Sequence, residues 1–82
     1  EASRLEVYPN PANQWVAIDW LGAGEMTSLK VYNSLGVIVH QHETFDNAKN
    51  LRIDVSTWSK GMYYIEIHST DDDRMRKPLI IQ

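Results

Sequence analysis

Apolar side chains alternate with polar ones in short runs along this chain, and turn-forming residues separate the runs. A period of two sends successive side chains to opposite faces of an extended strand. Residues 4–8 put Leu5 and Val7 on one face, and Pro9-Asn10-Pro11 stops the strand because proline cannot donate to a ladder. Residues 14–20 place Val16, Ile18 and Trp20 inward, with Ala17 and Asp19 outward. Gly22-Ala23-Gly24 reads as a loop, and residues 27–32 as a third strand with Leu29 and Val31 inward. Asn33-Ser34-Leu35-Gly36 predicts a type I turn with Gly36 at positive φ, from which residues 37–44 return as a hairpin. A loop over 46–50 leads to residues 51–55, with Leu51, Ile53 and Val55 on one face. Residues 56–61 are too few for a true helix and predict one helical turn, with Ser56 as N-cap and Gly61 as its left-handed stop. Residues 62–69 set Tyr63, Ile65 and Ile67 against Met62, Tyr64, Glu66 and His68. Asp71-Asp72-Asp73 predicts a solvated hairpin turn before a last strand over 75–81, which Pro78 assigns to a sheet edge or leaves with one unpaired donor position.

Seven short strands with no long helix predict an all-β fold, an antiparallel β-sandwich of immunoglobulin-like or jelly-roll-like type. Composition agrees. Six Val, seven Ile, four Thr, three Trp, four Tyr and one Phe suit pleated strands. The 82 residues make one domain, 1–82, and 43% hydrophobic against 23% charged residues predicts folding rather than disorder. A chain this short buries only about 60% of its unfolded surface, so its stability margin is thin.

Charge and residue content narrow the chemistry. The net charge of −3 argues against nucleic-acid binding, which needs a basic face. The lack of cysteine excludes a disulfide, a thiolate metal site and a cysteine nucleophile. Hydrophobic runs reach four residues, as in Trp15-Val16-Ala17-Ile18, too few for a membrane helix. The chain opens Glu1-Ala2-Ser3 without an initiator Met, a basic n-region or an apolar h-region; the expectation is a piece of a longer protein with no signal peptide of its own.

Four constellations invite a chemical reading. His40 and His42 share a strand face and make half a metal site, to which His68 would add a third ligand if its strand lay alongside; the simpler reading is two surface imidazoles. Asp71-Asp72-Asp73 offers oxygen ligands but lacks the calcium-loop spacing, so a solvated turn is the better reading. Gly22-x-Gly24 lacks the third glycine and the following helix of a phosphate loop. No nucleophile elbow surrounds any serine, so no enzyme activity and no cofactor are expected. Trp15, Trp58 and Tyr64, if coplanar and exposed, would stack on sugar rings, although aromatics in small sandwiches more often pack inward.

Five fragments carry a resemblance: Val7-Tyr8-Pro9-Asn10-Pro11-Ala12, Val31-Tyr32-Asn33-Ser34-Leu35-Gly36, Ile53-Asp54-Val55-Ser56, Trp58-Ser59-Lys60-Gly61-Met62-Tyr63-Tyr64-Ile65 and Lys77-Pro78-Leu79-Ile80-Ile81. In this order and spacing the chain resembles the type A C-terminal sorting domain of the type IX (Por) secretion system of Bacteroidetes, from Leu5 to Ile81. The resemblance implies a C-terminal secretion signal joined to an N-terminal passenger. The passenger would supply the signal peptide, and the fusion would cross the periplasm. The outer-membrane translocon and its shuttle proteins would recognise the domain, and a surface sortase would remove it, leaving the passenger at the cell surface or secreted. The alternative is a non-catalytic carbohydrate- or protein-binding module appended to a secreted enzyme; a third reading is a structural spacer.

Within that resemblance, Tyr8, Pro9, Asn10, Pro11, Asn33 and Tyr63 read as fold-making positions. The recognition candidates are Gly36 and Gly61 in their loops and the terminal residues Lys77, Pro78, Leu79, Ile80, Ile81 and Gln82. Lys77, Leu79 and Ile81 share a face, and a terminal edge strand could add to a partner's sheet or pair weakly with a second copy. Pro78 stands where many relatives have no proline, which argues against a fully regular last strand.

Overall fold

The computed structural model describes residues 4–21, 24–42, 49–70 and 74–82. The predicted turn at Asp71-Asp72-Asp73, Gly22 and Ala23 of the first loop, residues 46–48 of the later loop and the last two residues of the predicted strand 37–44 lie outside them. Seven strands form: β1 (Arg4–Tyr8), β2 (Trp15–Leu21), β3 (Met26–Asn33), β4 (Ile38–His42), β5 (Asn50–Asp54), β6 (Gly61–Ser69) and β7 (Arg74–Ile81). They build two antiparallel sheets, ordered β1-β2-β5 and β4-β3-β6-β7. The all-β sandwich expected from the alternation is present, and no helix occurs among the described residues.

The inward phase of each strand fills the space between the sheets. Leu5, Val16, Ile18 and Trp20 come from the three-stranded sheet, and Leu29, Val31, Ile65, Ile67 and Leu79 from the four-stranded one, all fully buried. Each such side chain contributes about 1.5–3 kcal/mol of apolar burial, which offsets the chain entropy of a small domain. Tyr63 closes the core beside the crossover into β6. Its hydroxyl donates to the carbonyl of Ser59 at 2.7 Å, the tyrosine-corner arrangement of immunoglobulin-like sandwiches.

The 33–36 turn forms as predicted: the N–H of Gly36 donates to the carbonyl of Asn33 at 3.0 Å, and Gly36 has φ +83°. The Asn33 carboxamide oxygen also accepts from the N–H groups of Leu35 and Val37, at 2.9 and 3.0 Å. Asn therefore suits this position better than an apolar residue would.

Two local expectations are corrected. No helical turn spans 56–61, and Ser56 does not cap one; its hydroxyl and N–H both donate to Asp54 Oδ1, at 2.7 and 2.9 Å. Gly61 is not a helix stop but the first residue of β6, with φ +146°. Glu66, assigned outward by phase, is 9% exposed, because neighbours on the outer sheet face cover it. Tyr32 donates to its Oε1 at 3.1 Å, and Arg76 lies 3.7 Å from its Oε2.

Candidate functional site

Strand directions decide which loops meet. β3 ends at Asn33, β6 begins at Gly61 opposite Ile81, and Asn33 pairs with Tyr63. The Gly36 turn, the segment before β6 and the end of β7 therefore converge at one end of the four-stranded sheet, although they lie far apart in sequence. Asn33, Ser34, Val39, Lys60, Gly61 and Met62 line one groove there. An added Cβ at Gly36 or Gly61 would meet nothing within 4 Å, so both glycines answer a backbone demand rather than a steric one.

The same end holds the apolar residues that the core does not absorb. Leu35 is 85% exposed and Val37 55%, and Ile38, Val39, Met62 and Ile80 are exposed beside them. On the outer face of the sheet, pairing aligns side chains in rows. Ile38, Tyr32, Tyr64 and Pro78 make one row, and Gln41, Lys30, Glu66 and Arg76 make the next. The Arg76 guanidinium lies over the Tyr32 and Tyr64 rings, at 5.5 and 5.9 Å. Burial and the hydrogen bond to Glu66 raise the pKa of the Tyr32 hydroxyl, which keeps it a donor.

The Pro-Asn-Pro segment reaches the terminal strand. Both its X–Pro bonds are cis. The Asn10 side chain donates from Nδ2 to the carbonyl of Pro78 and accepts the N–H of Ile80 on Oδ1, each at 3.0 Å. One residue pair further on, the N–H of Ala12 donates to the carbonyl of Ile80 and the N–H of Gln82 to that of Ala12, both at 2.8 Å. These groups of β7 point away from β6. Pro78, two residues before Ile80, turns its missing N–H to the same outward side. The ladder with β6 therefore loses no bond, and the register runs unshifted from Gly61↔Ile81 to His68↔Arg74. Two expectations change accordingly. The last strand is regular despite Pro78, and its outer backbone edge over 78–82 is already taken rather than free for a partner strand or a second copy.

Of the residues singled out beforehand, Leu79 and Ile81 face the core, where a partner cannot touch their side chains. Lys77, Pro78, Ile80 and Gln82 are exposed. Tyr8 lies outside this end, donating to Asp19 Oδ2 at 2.7 Å on the three-stranded sheet. The outward row partners Tyr32 and Tyr64 and the apolar Leu35, Val37 and Met62 were not singled out as a group, because only strand register aligns them.

The other constellations disperse. Pairing sets His40 and His42 opposite the inward residues Val31 and Leu29, whereas His68 pairs with outward Ser28. No group of three His, Cys, Asp or Glu suitable for a metal occurs among the described residues. His40 packs on Trp58 with ring centroids 5.8 Å apart, and burial, then His42, pulls its pKa below the usual histidine value. Trp58 also meets the Tyr63 ring at a tilt of 47° and packs against the core. Trp15 lies on the other sheet in an open groove with Gln14, Arg52, Asp54 and Ser56, its ring covered by the Arg52 guanidinium at 4.2 Å. Trp15, Trp58 and Tyr64 thus occupy three different surfaces and form no common platform for sugar.

Comparison with known proteins agrees with the fold and adds the family. In structure the chain is similar to a DUF3244 family protein with an immunoglobulin-like β-sandwich fold from Bacteroides vulgatus ATCC 8482, with TM-score 0.73, 9% identity, and 99% of this chain and 95% of that one covered. It is also similar to CopC from Methylosinus trichosporium OB3b, with TM-score 0.58, 18% identity, and 98% and 91% covered. The sulfur carrier protein SoxY from Chlorobium limicola f. thiosulfatophilum follows, with TM-score 0.50, 10% identity, and 99% and 74% covered. Identities this low carry the fold alone. No curated protein sequence matches the chain. The secretion system C-terminal sorting domain family matches residues 6–82. With a match of that extent on an immunoglobulin-like sandwich, the chain belongs to the C-terminal sorting domains of the type IX (Por) secretion system, signals for export to the cell surface or beyond.

Proposed function

We propose that this domain is a folded address, read by the translocon and its shuttle proteins at the end of the sandwich that gathers the Gly36 turn, the Gly61 segment and the exposed side chains of Lys77, Pro78, Ile80 and Gln82. The fusion reaches the periplasm on the passenger's own signal and crosses the outer membrane with the domain attached. A surface sortase then cuts the peptide bond upstream of the domain. The passenger's acyl group passes to water, which releases it, or to a nucleophile of an anionic lipopolysaccharide, which anchors it. The domain is a substrate in that step and not a catalyst.

The observation that supports this reading is convergence: family-resembling segments spread over some seventy residues of chain meet at one exposed, apolar end. The test is a fusion of a fluorescent passenger, behind a Sec signal, to residues 1–82 in a bacterium with an intact type IX system. The passenger is expected at the surface or in the medium, lighter by the mass of the domain, and a fusion lacking the domain is expected to stay periplasmic. Equal retention of both fusions would contradict the address. Deleting the terminal strand would not serve, because it removes Leu79 and Ile81 from the core.

A further inference from the structure

The groove between the Gly36 turn and the start of β6 offers hydrogen-bond donors with no carboxylate among them. Its polar side chains are Asn33, Ser34, Ser59 and Lys60. The Asn33 carboxamide spends Oδ1 on the N–H groups of Leu35 and Val37, which leaves its Nδ2 to donate. The Ser59 carbonyl, an acceptor, is already taken by the Tyr63 hydroxyl. Among the described residues nothing pairs with Asn33 Nδ2, the Ser34 and Ser59 hydroxyls or the Lys60 ammonium. The apolar wall is Val39 and Met62. Val39 reaches it because Val31 pairs with His40 and Tyr32 with Ile38, so Val39 is the extra residue of a bulge, and a bulge re-aims its side chain. The groove encloses about 290 Å³. Small-molecule pockets hold about 300–1,000 Å³, so it suits a partner's side chain better than a free ligand.

Charge sets which side chain it takes. Residues 9–14, 33–40, 55–62 and 78–82, which form this end, contain Lys60 and no Asp or Glu. The other seven of the eight Lys and Arg share the rest of the chain with all eleven acids. An acidic partner is repelled on balance by the remainder of the domain and attracted at this end, which fixes where it docks. A carboxylate accepts about four hydrogen bonds, and those from an ammonium are stronger than neutral ones.

We infer that the export machinery reads this end by seating an Asp or Glu side chain of its own in the groove. The carboxylate accepts from Lys60 Nζ, Asn33 Nδ2 and the serine hydroxyls, and the apolar neighbours of that acid cover Leu35, Val39 and Met62. The inference rests on the address reading and gives the chemistry of the surface that does the reading.

The test compares export of the fluorescent fusion by the parent, Lys60→Met, Lys60→Glu and Arg74→Glu domains, at an expression level that does not saturate export. Each is first shown to unfold at the parental temperature. Lys60→Met keeps the apolar stem and is expected to lower export about tenfold, the loss of one charge-assisted hydrogen bond. Lys60→Glu sets two carboxylates against each other and is expected to lower it further. Arg74→Glu makes the same charge change at the far end of β7 and is expected to export like the parent. Secreting cells are then treated with a water-soluble carbodiimide, which joins an amine to a carboxylate in contact with it as an amide while the reagent becomes a urea. Mass spectrometry is expected to find Lys60 of the parent domain joined to an Asp or Glu of an envelope protein. Retention of the parent fusion in the periplasm overturns the address reading and this inference with it. Export by the parent with undiminished export by Lys60→Glu overturns this inference alone. So does an equal loss of export by Arg74→Glu, which makes net charge the cause, or coupling of the envelope protein through other lysines of the domain and not through Lys60.

Discussion

Tyr63 does two jobs with one side chain: its ring seals the core beneath Trp58, and its hydroxyl ties the start of β6 to Ser59. Tyr63→Phe keeps the ring and loses the tie. It is expected to cost about 1 kcal/mol, which is about 4–8 °C in Tm for a domain of this size. An unchanged Tm would show that the Ser59 carbonyl is rehydrated without loss. His40 gives the pH dependence. Its pKa is lowered by burial and by His42, so between its folded and unfolded values the unfolded chain binds more protons. Its contribution to stability is complete above the unfolded value of about 6.5 and is lost as pH falls through the lowered folded value. Thermal scans from pH 7.5 to pH 5 should show Tm dropping, with a shallower drop in His40→Gln; parallel curves would remove His40 as the cause. Tyr63, Asn33 and Gly36 were legible in the sequence because turn chemistry and alternation act within a few residues. The burial of Glu66 was not, because the Tyr32 and Arg76 side chains that cover it come from other strands.

At the scale of elements, the strands were legible nearly residue for residue, since alternation survives wherever one face is buried and the other wet. β1 and β6 show this best, with Leu5, Tyr63, Ile65 and Ile67 all inward as their phase requires. The clamp on β7 was not legible. Pro9-Asn10-Pro11 reads as a strand stop, but that its carboxamide would serve as a surrogate peptide group for Pro78 and Ile80 depends on two sheets closing on each other. Proteins blunt exposed strand edges in several ways, and here proline and a side-chain amide act together. Asn10→Ala removes both bonds and is expected to cost about 1–3 kcal/mol in urea denaturation. It should also free the edge, so that sedimentation velocity shows association rising with concentration. A variant as stable and monomeric as the parent would contradict the clamp. Leu79→Ala, which opens a cavity at a fully buried position, should cost about 2–5 kcal/mol.

For the whole molecule, the central claim is that a folded surface, rather than the terminal peptide alone, is the signal. Five of the six terminal candidates proved to be core or clamp: Leu79 and Ile81 point inward, and the backbone of Pro78, Ile80 and Gln82 is engaged by Asn10 and Ala12. What remains readable is an end assembled from three distant segments, and that assembly follows from register, which no single run of sequence displays. The most direct measurement compares export of the fluorescent passenger by three fusions: the parent domain, a Leu35→Asp/Met62→Asp domain, and an Arg52→Glu domain altered on the opposite sheet. All three are first shown to unfold at similar temperatures. The account predicts export by the parent and by Arg52→Glu, and retention of the Leu35→Asp/Met62→Asp fusion in the periplasm. Export of that fusion at the parental level, with its fold intact, would contradict the account.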